Sequence, residues 1–249
     1  MLFTRCLRLL VRAPDRLKCR TAFELRYRPM NPFDVLRDSL YFFKRHLGRI
    51  AQLCLPLVIL EAVLQQGVDS VVGAEGFPGY SVIVGLLVYP LYTAALILFL
   101  DARSRGESPR PRDLLATALT LWPRFALLTA LNTLLILIGI SLYFLPGLWL
   151  MVVLAFGEYL LVLRGLAPLA AMKESLRMSR GHFWRILLCI LCVMVPLWLL
   201  KGASVSVYPP PQNPLISLLI ESIHSFLQLF TSVVLFRMFM LIEATPDNR

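Results

Sequence analysis

Six long apolar segments divide this chain, and its positive charge falls almost entirely in alternate gaps between them. Runs of about 18 or more apolar residues are long enough to cross the roughly 30 Å hydrocarbon of a bilayer as helix. They lie near 50–68, 82–100, 125–145, 148–163, 186–200 and 215–241. They are continuous in Leu, Ile, Val and Phe and lack the period-two alternation of barrel strands, so helices are expected. With 58% hydrophobic residues and a mean hydropathy of +0.71, the chain carries more apolar surface than a soluble fold can hide. The expected fold is all-α: a polytopic membrane bundle of six transmembrane helices.

The basic residues orient it. Twelve Lys or Arg precede the first span, and none lies in the gap 69–81. Five follow in 101–124, none at the Pro146-Gly147 tip, five in 164–185, and only Lys201 in the last gap. Lys and Arg stay on the cytoplasmic side, so both termini are expected inside. The +10 net charge then reports topology and attraction to anionic lipid, with no role for nucleic acid. Pro146 cannot continue a helical ladder and Gly147 permits a turn, so Phe144–Gly147 reads as a hairpin tip between spans three and four. Pro56, Pro90 and Pro196 inside spans one, two and five predict kinks.

Three domains follow: a basic tail at 1–29, a six-span membrane domain at 30–243, and a cytoplasmic tail at 244–249. The first tail has eight basic residues and no clean helical stripe. It reads either as a membrane-surface arm or as an over-extended reading frame with Met30 as the true start, and the second is favoured.

From Phe33, apolar residues recur at Leu36, Leu40, Phe43 and Leu47, the spacing of an amphipathic helix. Asn31 can cap it, and Pro32 suits its first turn. The pattern returns after Pro168 through Leu169, Met172, Leu176 and Phe183. At an offset of 136, Ser39 meets Ser175, His46 meets His182, and Arg49-Ile50 meets Arg185-Ile186. A weaker copy runs from Pro111 to Arg124. In-plane amphipathic helices are therefore expected before spans 1, 3 and 5, whether by duplication or by convergence. Lys44, Arg45 and Arg49, and at the equivalent place Arg177, Arg180 and Arg185, are the candidates for holding anionic headgroups.

Ionisable groups in hydrocarbon are site candidates by default. Glu61 lies in span one, Glu158 in span four, and Glu221 and His224 in span six. Glu221, His224, Ser225, Gln228 and Ser232 read as a polar stripe, to which Asn132, Thr129 and Thr133 of span three add. The stripe could line a polar path, or serve as interhelical glue with the three glutamates near the membrane rims. His46 and His182 are expected to contact a headgroup or the backbone. Cys189 and Cys192 form a C-x-x-C in an apolar helix without a neighbouring His or acid, and read as packing residues. No catalytic residues, metal site or cofactor are expected. The chain lacks G-x-S-x-G, H-E-x-x-H and phosphate-binding glycine motifs, and its largest inside loop is about two dozen residues.

Three stretches carry a resemblance: Phe144-Leu145-Pro146-Gly147-Leu148, the segment from Arg164 to Arg185, and Leu235 to Ile242. Together they resemble the YciC family of bacterial inner-membrane proteins. The resemblance runs from Met30 to about Glu243 and is most specific over Met172 to Arg185. It implies six spans in the inner membrane and brings no catalytic residues. The first functional reading is thus a non-enzymatic inner-membrane protein for envelope maintenance, or a membrane scaffold, with anionic lipids as partners. The alternative is a small transporter or channel component using the span-six stripe, for which a water-accessible cavity lined by Glu221, His224 and Gln228 would be the mark. Protein partners stay open, as does a homo-oligomer.

Overall fold

A computed structural model describes residues 32–72, 79–207 and 214–244. The tail at 1–29, the Met30 start, the Asn31 cap and the last five residues lie outside the described residues. The described residues form eight helices and no strand: α1 (Pro32–Val72), α2 (Gly79–Ser104), α3 (Pro111–Leu142), α4 (Phe144–Leu154), α5 (Gly157–Arg164), α6 (Pro168–Ser179), α7 (Phe183–Val207) and α8 (Pro214–Ala244). Six stretches are long and apolar enough to cross a membrane; α4 and α5 together make the fourth. The protein is a multi-pass, all-α integral membrane protein.

The amphipathic stretches are present, but two are joined to their spans. α1 runs 41 residues without a break, about 60 Å at 1.5 Å per residue, and α3 runs 32. Only before span five is the amphipathic stretch a separate helix, α6, parted from α7 by Arg180–His182. Continuing a helix keeps every backbone group bonded, and Gly48, at the α1 junction, is absorbed within the helix. Pro123 is absorbed inside α3, and Pro56, Pro90 and Pro196 also sit inside continuous helices.

Spans three and four form the expected hairpin with its tip shifted. The chain turns at Tyr143 alone, in extended backbone (φ −166°, ψ 148°), and Pro146 and Gly147 fall in the first turns of α4. A proline there forfeits no helical hydrogen bond. Gly147 serves close approach: a Cβ on it would strike Ile140, and one on Gly139 would lie 2.9 Å from the Gly147 Cα. Small residues let membrane helices touch at their backbones.

Span four is broken where no proline stands, at Ala155-Phe156. The polar groups freed there are bonded by α6. Ser175 Oγ donates to the Val153 carbonyl (2.6 Å) and accepts from the Phe156 N–H (3.1 Å), and Ser179 Oγ donates to the same carbonyl (3.3 Å). In hydrocarbon such groups must be bonded internally. α6 reaches the break because Gly165, in left-handed backbone (φ 64°), ends α5 and Pro168 opens the return helix.

α1 packs on α2 and α8, α3 on α2 and α4, and α7 on α8. The core joins Ile50, Leu53, Ala94–Ile97, Phe125, Leu128 and Leu160 with an aromatic group of Phe156, Tyr159 and Phe239. Large apolar side chains elsewhere face outward, including Leu127, Leu134, Trp198 and Leu219, as a lipid-facing surface requires. Arg237–Asp38 (3.5 Å) and Arg164–Glu243 (2.7 Å) tie one end of the bundle, and Lys201–Glu221 (3.4 Å) the other.

Candidate functional site: an acidic cavity between the spans

A cavity of about 540 Å³ lies between the helices, and every span contributes to its wall. α1 supplies Glu61 and Gln65, α2 Gly85, Tyr89 and Tyr92, and α3 Thr129, Asn132 and Thr133. The break in span four supplies Ala155, Glu158 and Tyr159; α7 supplies Met194; α8 supplies Glu221, Ser225, Gln228 and Ser232. Among the described residues, three carboxylates line it and no Lys, Arg or His does. Lys201 meets Glu221 without itself lining the wall.

Glu61 Oε1 accepts from Gln65 Nε2 (3.3 Å), and the Tyr92 hydroxyl interacts with the same carboxylate. Asn132, only 9% exposed, has its Oδ1 unbonded. Glu158 is held by the Tyr89 hydroxyl, 3.3 Å from each carboxylate oxygen and able to donate to one at a time. Tyr159 donates to the Ser232 carbonyl (2.8 Å), closing the wall between α5 and α8. Gly85 lies beside Glu61, where a Cβ would make an ordinary contact with Oε1 at 3.6 Å. Among the described residues, no three His, Cys, Asp or Glu side chains stand close enough to hold a metal ion together. The carboxylates are therefore spread around a solute-sized space.

The span-six stripe faces this cavity through Glu221, Ser225, Gln228 and Ser232, but His224 does not line it. At 100° per residue those four fall within about 60° of arc, while His224 sits about 60° from Glu221 on the side away from Ser225. Asn132, Thr129 and Thr133 join the stripe as expected. Glu61 and Glu158, which the sequence allowed near the rims, meet Glu221 in the same wall. Tyr89 and Tyr92 were not foreseen; a tyrosine in a span gives no signal distinct from an interfacial anchor.

The basic candidates are regrouped. Arg45 and Arg49 line a cleft with Arg103 of α2, and Lys44 does not join them. Arg177 and Arg180 line a second cleft with Arg164 and Lys173, without Arg185. There Glu174 neutralises Arg177 (3.4 Å) and approaches Arg164 (4.0 Å). His46 Nδ1 meets the Phe42 carbonyl (3.1 Å), the backbone contact expected of it. Cys189 and Cys192 are free thiols, the first buried. No family model matches this chain, and no solved structure matches it.

Proposed function

We propose that this protein moves or binds small cationic solutes, as a transporter or channel component, through the cavity between its spans. The observation that carries the reading is a wall with three carboxylates, no basic side chain among the described residues, and an unbonded buried acceptor, Asn132 Oδ1. Buried acceptors without donors are costly, so the wall suits a guest that brings positive charge and N–H groups together. The volume is that of an ordinary small-molecule site. A scaffold gains nothing from such a space, so the cavity favours transport over the envelope-scaffold reading. His224 has no part in it.

The surrounding proposals stay with this reading. The protein belongs to the bacterial inner membrane with both termini cytoplasmic, is related to the YciC family, and carries no catalytic chemistry. Reporter fusions after Gly73 and after Gly106 test the topology, the first expected outside and the second inside. For the cavity, the full chain reconstituted in liposomes should take up methylammonium or a larger organic ammonium. Glu61→Gln and Glu158→Gln should each cut uptake about tenfold or more, because a desolvated charge contact is lost. Uptake of methylammonium and larger organic ammonium ions no faster than in empty liposomes, with no binding of them to the purified protein, would end the proposal.

A further inference from the structure

A second site of opposite sign lies on the basic end of the bundle. Its cleft, about 450 Å³, is lined by Arg45, His46, Gly48 and Arg49 of α1 and Arg103 of α2. Fifty-four positions separate Arg103 from Arg49, so only the fold brings the three guanidinium groups together. Among the described residues no carboxylate pairs with any of the three: Asp101 is taken by Arg105, and Asp38 by Arg237.

The cleft is built around Arg103. Its guanidinium lies over the Phe99 ring, 5.8 Å from the centroid, and Nη1 donates to Ser108 Oγ (3.1 Å) and to the Glu107 carbonyl (3.4 Å). Its Nε–H is buried and has no acceptor. Arg45 makes one hydrogen bond, Nη1 to the Tyr41 hydroxyl (3.3 Å). The His46 ring is fixed between Phe42 and Phe99. Gly48 leaves the floor open, since nothing lies within 4 Å of where its Cβ would be. The end of α2 would repel an anion through its free carbonyls, but those of Asp101, Ala102 and Arg103 each accept a backbone N–H.

We propose that Arg45, Arg49 and Arg103 bind a phosphate group, with the guanidinium forks taking its oxygens. Arginine is the side chain suited to that geometry, and three guanidinium groups gathered without a paired carboxylate favour an oxyanion. Arg49 also borders a second hollow of about 250 Å³, whose wall includes Leu53, Phe99, Pro109 and Leu114. That wall also carries Gln52, Ser108 and Arg110, so a charged cleft shares Arg49 with a hollow that mixes apolar and polar groups, which suits the phosphate of a lipid headgroup with its glycerol ester beside it. Free phosphate or a soluble phosphate ester shares the charged half only.

The test uses the full chain in detergent micelles doped with phosphatidylglycerol or phosphatidylcholine, with lipid retention read by native mass spectrometry. Phosphatidylglycerol should be retained at least about tenfold more strongly than phosphatidylcholine, and Arg45→Gln/Arg49→Gln/Arg103→Gln together should erase the difference. The matched loss of charge at the other cleft, Lys173→Gln/Arg177→Gln/Arg180→Gln, should leave it in place. Arg103→Gln alone, which keeps α1 intact, should remove most of it if the triple variant does not fold. Millimolar inorganic phosphate that displaces the lipid from the native cleft assigns the site to free phosphate; lipid that resists it assigns the headgroup. Retention unchanged in the cleft variants, or lost equally in both triple variants, overturns the proposal.

Discussion

The first and third amphipathic units bury the same positions yet end in different shapes. At the offset of 136, Val35, Ser39, Phe43, Ile50 and Leu53 of α1 are buried, and so are Ala171, Ser175, Ser179, Ile186 and Cys189. The first unit is one continuous helix, and the third folds at Arg180–His182. What differs is the neighbour. Ser175 and Ser179 face the break in span four and bond its freed backbone, whereas Ser39 Oγ is buried with no partner. Where the third unit has Ser179, the first has Phe43, whose ring meets Phe226 (5.9 Å) and Phe230 (5.5 Å) on α8. A shared burial pattern thus fixes which face turns inward, and the partner decides what that face contributes.

The comparison breaks most visibly at Phe43 and Ser179. Phe43→Ala removes a buried ring from between α1 and α8 and should cost about 3 kcal/mol. Ser179→Ala loses only a long hydrogen bond to a carbonyl that Ser175 also serves, and should cost under about 1 kcal/mol. Equal losses in denaturant titrations of the micellar protein would show that the α8 contact does not hold α1. The next effect is at the equivalent serines. Ser175→Ala strands the Phe156 N–H and should cost about 1–2 kcal/mol. Ser39→Ala deletes a hydroxyl without a partner and should change stability by less than about 0.5 kcal/mol, or raise it. Hydrogen exchange at the Phe156 amide should quicken in the first variant only. If Ser39→Ala is the more damaging, the serines do not differ in the way described.

These differences explain what the sequence could and could not disclose. Six spans were legible because an apolar run long enough to cross a bilayer has few other uses. The joins were not: whether an amphipathic stretch continues into its span depends on whether something nearby rewards a break. At Ala155-Phe156 the reward comes from Ser175, nineteen positions on, with no proline to mark it. Gly147 signalled a turn and serves a helix contact, because the same missing Cβ suits both. One side of the cavity wall was visible in the α8 stripe. The convergence of Glu61 and Glu158 on it was not, since a lone carboxylate in a span looks the same at a rim or in a cavity. Arg103 was hidden for a similar reason, being counted among loop charges although it ends up beside Arg45 and Arg49.

The smallest expected effect tests the joins themselves. At the offset of 136, Arg45 of the continuous helix corresponds to Gly181 in the fold between α6 and α7. Gly181 has no positive φ and open space where a Cβ would sit, so its backbone does not demand glycine. Gly181→Ala should therefore be accepted within about 0.5 kcal/mol, with α6 still docked, because the fold is held by the Ser175 and Ser179 bonds and by the His182 N–H on the Ser179 carbonyl (3.1 Å). Arg45→Gly places the poorer helix former in an exposed turn of α1 and should cost about 1 kcal/mol without introducing a fold there, since nothing waits to bond the freed groups. A spin-label pair on either side of position 45 reads the outcome directly. A shortened distance in Arg45→Gly would mean that glycine alone makes the joint, and that the docking serines follow from the break instead of holding it.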